Sequence, residues 1–163
     1  MIASLLLPLL MQSAEPLPDC NQEEADRGIQ PEMNQCAWRD YLIADAELNA
    51  QWKFTVAAMK ERDAVTAPYR DKSDTRLGAY DSLLKAQRAW LIYRDAHCGM
   101  GGYAPMSGGS MEPMLVAFCM RGLTQQRTDQ LRHLADPDGR RPNSASLPAS
   151  QSLGIATSHE CQA

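Results

Sequence analysis

Residues 41–59 read YLIADAELNAQWKFTVAAM and carry the pattern that determines the fold. Apolar or small side chains recur there at steps of three or four residues, namely at Tyr41, Ala44, Leu48, Trp52, Thr55 and Met59. This spacing places them on one face of an α-helix, which turns once every 3.6 residues or so. Pro31 and Glu32 suit the first turn of such a helix, and we predict that it runs to about residue 64.

Two further helices are predicted, one on each side of a glycine-rich loop. The first begins after Asp74 as N-cap and ends at Gly99, and the second begins near Ser110. The expected buried faces are Leu77, Tyr80, Leu84, Gln87, Leu91 and Arg94 for the first, and Leu115, Phe118, Cys119, Leu123, Leu131 and Leu134 for the second. A short helix is also expected near residues 22–28. No alternating strand pattern appears, so the expected fold is all-α, a small disulfide-stapled bundle of three main helices.

Length and composition exclude several classes of protein. The chain has 163 residues, a formal net charge of −4 and 44% hydrophobic residues, which suits a single domain. Its acidic balance argues against nucleic acid as a partner, because that binding needs a basic face. No stretch is apolar over the roughly 18 residues that a membrane-spanning helix requires, so no integral membrane span is expected.

The two ends of the chain differ in composition from its middle. Residues 1–18 begin with the apolar run MIASLLLPLLM, which is typical of a signal peptide although no Lys or Arg precedes it. Residues 136–163 contain prolines and serines without an aromatic residue, and we predict that this tail is disordered. The helical domain is therefore expected over residues 19–135, in a protein that is periplasmic or secreted.

Five cysteines, Cys20, Cys36, Cys98, Cys119 and Cys161, form no C-x-x-C pair, which argues against a zinc or thioredoxin-type motif. If consecutive helices are antiparallel, Cys36, Cys98 and Cys119 lie at one end of the bundle with Cys20 nearby. Two disulfides among these four are expected, with Cys161 left over. All three pairings remain open, and Cys36 with Cys119 and Cys20 with Cys98 is preferred because each bridge then ties different elements together. Neither a metal nor a cofactor is expected.

Six short motifs stand in a characteristic order: EMNQCA at 32–37, ADAELN at 44–49, AQRAW at 86–90, YRDAHC at 93–98, GGS at 108–110 and LT at 123–124. Together with Cys119, their order and spacing resemble the LprI-like lysozyme-inhibitor family over residues 20–134. The resemblance implies an exported, cysteine-bridged helical domain, in a family whose namesake inhibits lysozyme. The chain differs from that namesake, which resembles a lipoprotein, because no lipidation motif precedes Cys20.

An acidic segment fits an inhibitor of a cationic lysozyme. Residues 15–49 contain nine acidic and two basic side chains, and Glu32 and Asp40 within them are candidate partner-binding residues. Complementary charge steers a protein partner toward such a surface. The alternative is an ordinary solvated face, because helix first turns also favour acids.

A glycine-rich loop, residues 99–109, is the second candidate for partner contact. We expect it to present Met100, Tyr103 and Met106 to the cleft of the partner. Replacing Tyr103 by alanine should then weaken partner binding with little change in Tm. The alternative is a loop that only connects two helices.

A structural polar network is predicted between the helices, with the members Asp45, Asn49, Gln87, Arg88, Arg94 and Arg127. We prefer this interpretation over catalysis, because no positioned nucleophile or metal-ligand set accompanies these residues. The predicted function is that of an exported binding protein with no catalytic residue, which occludes the cleft of a lysozyme-type muramidase. The alternatives are a non-inhibitory envelope module that binds protein or cell wall, and an undetected hydrolase.

Overall fold

The computed structural model describes residues 16–101 and 108–137, and it is built from helices. The elements are α1 (Gln22–Asp26), α2 (Gln30–Thr66), a 3-10 helix (Ala67–Tyr69), α3 (Ala79–Gly101) and α4 (Glu112–Ala135). No strand occurs in the two described ranges. The predicted all-α class, the three main helices and the short preceding helix are confirmed. Most of the predicted leader and tail lies outside the described residues, as do Tyr103, Met106 and Cys161.

The three long helices run up, down and up, so α2 and α4 are parallel and α3 is antiparallel to both. Near the start of α2, Ala37 packs with Ala117 of α4. Further along, the Thr55 hydroxyl donates a hydrogen bond to the Leu131 carbonyl of α4, 3.0 Å away. Asp63, close to the end of α2, meets the first turn of α3. The start of α2, the end of α3 and the start of α4 therefore lie at one end of the bundle.

Two apolar clusters lie along α2. The main core, toward the middle and end of α2, has the buried members Leu48, Ala58, Met59, Leu83 and Leu131. The small core, near the start of α2, has the buried members Ala37, Met114 and Ala117. The stripe predicted for α2 is confirmed, since five of its six residues are buried and Trp52 packs against the main core. In the ranges 16–101 and 108–137, no helix is long and apolar enough to cross a membrane.

The predicted face of α4 is only partly correct. Leu131 is fully buried, but Phe118 and Leu134 are exposed. The buried residues of α4 are Met114, Ala117, Thr124, Thr128 and Leu131. Small side chains in this set let α4 approach α2 closely. The Thr128 hydroxyl donates to the Thr124 carbonyl at 2.9 Å, so its burial leaves no unpaired donor.

The predicted start of α3 is wrong, because the helix begins at Ala79 and not directly after Asp74. Asp63 of α2 caps it: the carboxylate accepts the backbone N–H groups of Ala79 at 2.6 Å and of Tyr80 at 2.9 Å. These two bonds, with that from Tyr80 contributing most, hold the pKa of Asp63 below its usual value. A Cβ at position 78 would lie 2.9 Å from the Asp63 carboxylate, so Gly78 gives this cap its room.

The remainder of α3 departs from its predicted face in two places. Leu77 precedes the helix and Leu91 lies on it, and both are exposed. The buried residues of this helix are Leu83, Gln87, Arg94 and Cys98. Thus Gln87 and Arg94 are confirmed, Tyr80 and Leu84 are half-buried, and the helix continues past Gly99 to Gly101.

Candidate functional site

Both disulfides lie at the same end of the bundle, which we call the disulfide end. Cys20 is bonded to Cys36, 16 residues away, and Cys98 is bonded to Cys119, 21 residues away. The preferred pairing of Cys36 with Cys119 and Cys20 with Cys98 is therefore wrong. The Cys98–Cys119 bridge joins two consecutive helices, because the end of α3 lies beside the start of the antiparallel α4. The Cys20–Cys36 bridge joins the segment that precedes α1 to the start of α2.

The predicted partner-binding acids Glu32 and Asp40 both lie on α2 near the disulfide end. Each of them contacts another residue of this chain. Glu32 is half-buried, and its carboxylate accepts the backbone N–H of Asn21 at 3.2 Å. Asp40 is exposed and forms an ion pair with Arg121 of α4. These contacts give both acids a structural role that the sequence did not indicate.

The acidity of this region is partly neutralised by other helices. The described residues 16–49 contain eight acidic side chains and two basic ones. Arg121 of α4 pairs with Asp40, and Arg94 of α3 lies 3.3 Å from Asp45. The exposed acids Glu23 and Asp26 lie on α1, beside the start of α2. Beside α1, Arg27 lies 4.0 Å from Glu23 and 3.1 Å from Glu24. The acidic surface is thus smaller than the sequence predicts.

The predicted binding loop is described only at its two ends. Met100 is 64% exposed at the end of α3, whereas Tyr103 and Met106 lie outside the described residues. On the other side of the loop, Gly108 has a positive φ of 76° and donates its N–H to the Glu112 carboxylate at 2.6 Å. The Cys98–Cys119 bridge and this turn fix both ends of the loop at the disulfide end.

An exposed, mainly apolar face on α3 was not predicted from the sequence, apart from its last member, Met100. Its members, which we call the α3 outer face, are Ala89, Ile92, Tyr93, Ala96, His97 and Met100, all of them exposed. Ile92 is 72% exposed, and the Tyr93 ring stacks on His97 with 5.2 Å between centroids. These residues recur at steps of one, three and four, a spacing that places them on one face of a helix. The sequence therefore contained a signal for this face, but the buried face was predicted on the other side of the helix.

The predicted polar network centres on Arg94, which is buried. Its guanidinium lies 3.3 Å from Asp45 of α2 and 2.9 Å from Asp95. It also lies over the rings of Tyr41, 5.5 Å from the centroid, and Trp90, 5.2 Å from the centroid. Burial raises the pKa of Tyr41, an effect that the charge of Arg94 opposes. The arginine thus joins α2 and α3 through charge and aromatic contact together.

The other predicted network residues divide into two groups and one outlier. Asn49 donates to Asp45 at 2.8 Å along α2. Arg127 of α4 donates to the Gln87 side chain of α3 at 2.9 Å, and burial lowers the pKa of Arg127. Arg88 is exposed and takes no part in either group. Among residues 16–101 and 108–137, no His, Cys, Asp or Glu cluster is arranged to hold a metal ion.

The comparisons with known proteins cover most of the bridged bundle. A family model described as lysozyme inhibitor LprI matches residues 20–131, a range that includes both disulfides. The chain belongs to the LprI family. One curated relative of this LprI-family chain, an uncharacterized protein of Rhizobium meliloti (strain 1021), is 43% identical over 122 residues, which are 75% of this chain and 82% of that protein. No solved structure matches this LprI-family chain.

Proposed function

We propose that this LprI-family protein is an exported inhibitor of a lysozyme-type muramidase and acts by occluding the cleft of the enzyme. The observation that carries the proposal is the family match over residues 20–131, which covers both disulfides and all of the bundle except the last four residues of α4. The two disulfides support a periplasmic or secreted location, because such bonds persist in oxidising compartments.

The proposed interface is the disulfide end with the adjoining α3 outer face. Ile92, Tyr93 and Met100 supply exposed apolar area, of the kind that becomes the anchor of a protein interface once it is covered. The acids of α1 supply the charge that attracts a cationic enzyme and raises its association rate. Tyr103 and Met106 belong to the same proposed interface by their place in the chain between the two anchored loop ends.

Inhibition in this proposal needs no chemistry from the inhibitor. Asp45 is held by Arg94 and Asn49, which suits a residue that fixes the packing of α2 on α3. Two carboxylates of the target cleave the glycosidic bond, and a rigid body in the cleft excludes the polysaccharide from them. The protein therefore acts as a binding partner and not as an enzyme.

Lysis of bacterial cell walls by a cationic lysozyme tests the proposal. The oxidised full-length chain should inhibit lysis at low salt, and inhibition should weaken as ionic strength rises because the charges are screened. A reduced and alkylated sample should lose inhibition. Binding to cell walls without any inhibition of several muramidases would contradict the proposal and favour a non-inhibitory envelope module.

A matched pair of charge reversals separates the interface from general charge. Glu23→Lys and Asp81→Lys both replace an acid in the first turn of a helix, but α1 lies at the disulfide end and the start of α3 lies at the opposite end. The first should lower the association rate about tenfold at low salt, and the second should change it little. Equal effects would place the interface elsewhere.

A further inference from the structure

The α3 outer face points away from the rest of the bundle. The helix packs against α2 and α4 through its other side, on which Leu83 and Cys98 are buried. On the outward side, Ile92, Tyr93 and Met100 each expose more than half of their surface. Exposed apolar side chains that adjoin one another on a single helix mark a surface that binds a partner.

Residues on this side recur with the seven-residue repeat of paired helices. The outermost positions are separated alternately by four and three residues, and they are Lys85, Ala89, Ile92, Ala96 and Gly99. All five are exposed. The small residues among them let a second helix approach closely, and Ile92 protrudes between them as a side chain that can pack on a small residue of that helix. The face therefore complements a helix with the same repeat, and α3 of a second copy is such a helix.

Charge selects the orientation of the two helices. In a parallel pair equal positions face each other, so Lys85 would lie against Lys85 of the other copy. In an antiparallel pair Ala89 faces Ile92 of the other copy, and Lys85 faces Ala96. The two-fold axis then passes close to the middle of α3 (Ala79–Gly101), so the two helices overlap along nearly their whole length.

Two ion pairs flank this antiparallel contact. At its edge Arg88 of one copy meets Asp95 of the other, and two-fold symmetry repeats the pair. Arg88 is exposed and pairs with no acid among residues 16–101 and 108–137. The Asp95 side chain is 59% exposed and contacts Arg94 through one carboxylate oxygen, so its other oxygen can accept from Arg88. Opposite charges at these positions favour this orientation and this partner.

We propose that a second copy of this chain binds the α3 outer face, as an antiparallel pair of α3 helices with two-fold symmetry. A contact confined to one helix of each copy is small, so the dimer should be weak, with a Kd of about 10–100 μM. This pairing does not depend on muramidase inhibition. Because Ile92 and Tyr93 also belong to the proposed muramidase interface, the second copy and the enzyme compete for them, and the inhibitory form is the monomer.

Sedimentation equilibrium of the oxidised full-length chain at low salt, from about 1 μM to 1 mM, tests the pairing. The wild type should change from monomer to dimer over this range. Ile92→Glu should weaken association about tenfold or more, because it buries a carboxylate against Ala89 of the other copy. Phe54→Glu, at an exposed apolar site on α2, is the matched control and should leave association unchanged. A wild type that stays monomeric, or equal effects of the two substitutions, would overturn the proposal.

A mixture of two charge variants tests the antiparallel orientation. Arg88→Glu alone and Asp95→Lys alone should each associate about tenfold more weakly than the wild type, because each dimer then contains two pairs of like charge. An equimolar mixture should associate as tightly as the wild type, since a dimer of one variant with the other contains two pairs of opposite charge. A mixture that associates no more tightly than the separate variants would overturn the antiparallel pairing.

A second mixture avoids any change at Asp95, whose contact with Arg94 is lost in Asp95→Lys. Arg88→Glu mixed with the wild type forms a dimer that keeps one of the two opposite-charge pairs. Its Kd should lie between the Kd values of the two parent dimers, and the Tm of each separate chain shows that it is folded. A mixed dimer as weak as the Arg88→Glu dimer would contradict the pairing of Arg88 with Asp95.

Discussion

The two ends of the bundle are held together by different forces. At the disulfide end the small core has only three buried members, Ala37, Met114 and Ala117, and two covalent bridges join the elements. At the opposite end, which we call the capped end, the main core supplies the contacts and Asp63 fixes the start of α3 by hydrogen bonds. The disulfides therefore lie where few apolar side chains are buried, as expected when a small core supplies little stabilisation.

The largest difference in stability should come from shortening one buried side chain in each core. Leu131→Ala removes a fully buried side chain from the main core and should lower the free energy of unfolding by about 3–4 kcal/mol. Met114→Ala in the small core should lower it by about 2 kcal/mol, because the bridges continue to hold the surrounding elements. Denaturant titration of both oxidised variants measures the difference. An equal or larger loss for Met114→Ala would remove the contrast between the cores.

Removal of a bridge should weaken the disulfide end selectively. The double variant Cys98→Ala, Cys119→Ala should lose about 3 kcal/mol, as expected for a loop of this length. Native-state hydrogen exchange should accelerate near Ala37 before it accelerates near Leu48. Cys161→Ala, which leaves both bridges intact, is the matched control and should change neither quantity. Uniform acceleration of hydrogen exchange along α2 would show that the two ends of the bundle do not open independently.

Lowering the pH should destabilise the capped end before the disulfide end. The pKa values of Asp63, Asp71 and Asp74 are all held below their usual range by hydrogen bonds. A depressed folded-state pKa gives stabilisation that is complete above the unfolded value of about 3.9 and is lost as the pH falls toward the folded value. Asp63→Asn should therefore lower Tm at pH 7 and flatten the decline of Tm below about pH 4. An unchanged pH profile would exclude the cap as its cause.

A smaller effect is expected from the hydrogen bond between α2 and α4. Thr55→Val keeps the shape of a fully buried side chain but removes the hydroxyl that lies 3.0 Å from the Leu131 carbonyl. The loss should be about 1 kcal/mol, the usual net value of such a bond. Ser82→Ala, at an exposed site on α3, is the control in the same denaturation experiment. A neutral Thr55→Val would mean that packing alone joins the two helices there.

The smallest effect should come from the exposed ion pair of the disulfide end. Asp40→Asn removes the charge that pairs with Arg121, and both side chains are substantially exposed. Its stability cost should be about 0.5 kcal/mol or less. A large loss of muramidase inhibition with so small a change in stability would assign Asp40 to the interface, whereas unchanged inhibition would leave it as a structural residue.

Sequence periodicity predicted α2 well and α4 less well for a physical reason. The face of α2 contains large or aromatic residues such as Tyr41, Leu48 and Met59, which stand out in a polar helix. The buried face of α4 relies on Ala117, Thr124 and Thr128, whose small size matters more than their hydropathy. Close approach of two helices selects small residues, and a pattern based on large apolar side chains does not detect it.

Long-range contacts explain the other differences. Asp74 is a suitable N-cap by its local sequence, but Asp63 reaches the same helix from an antiparallel neighbour. Likewise the local charge count around Asp40 omits Arg121, which comes from another helix. The Nε of Arg39 is buried and has no hydrogen-bond partner among the described residues. The sequence gives no signal of this, because an arginine without a partner has the same neighbours in sequence as an arginine with one.

The order of the bridges along the chain bears on how the protein acquires them. The first and second cysteines are joined, and so are the third and fourth. During synthesis the N-terminal part of a chain emerges first. When Cys20 and Cys36 meet an oxidant before Cys98 has emerged, no wrong partner is present for either of them. The pair that emerges later then has only each other among these four thiols, so the timing of emergence selects the native bonds without any need for an isomerase to exchange them.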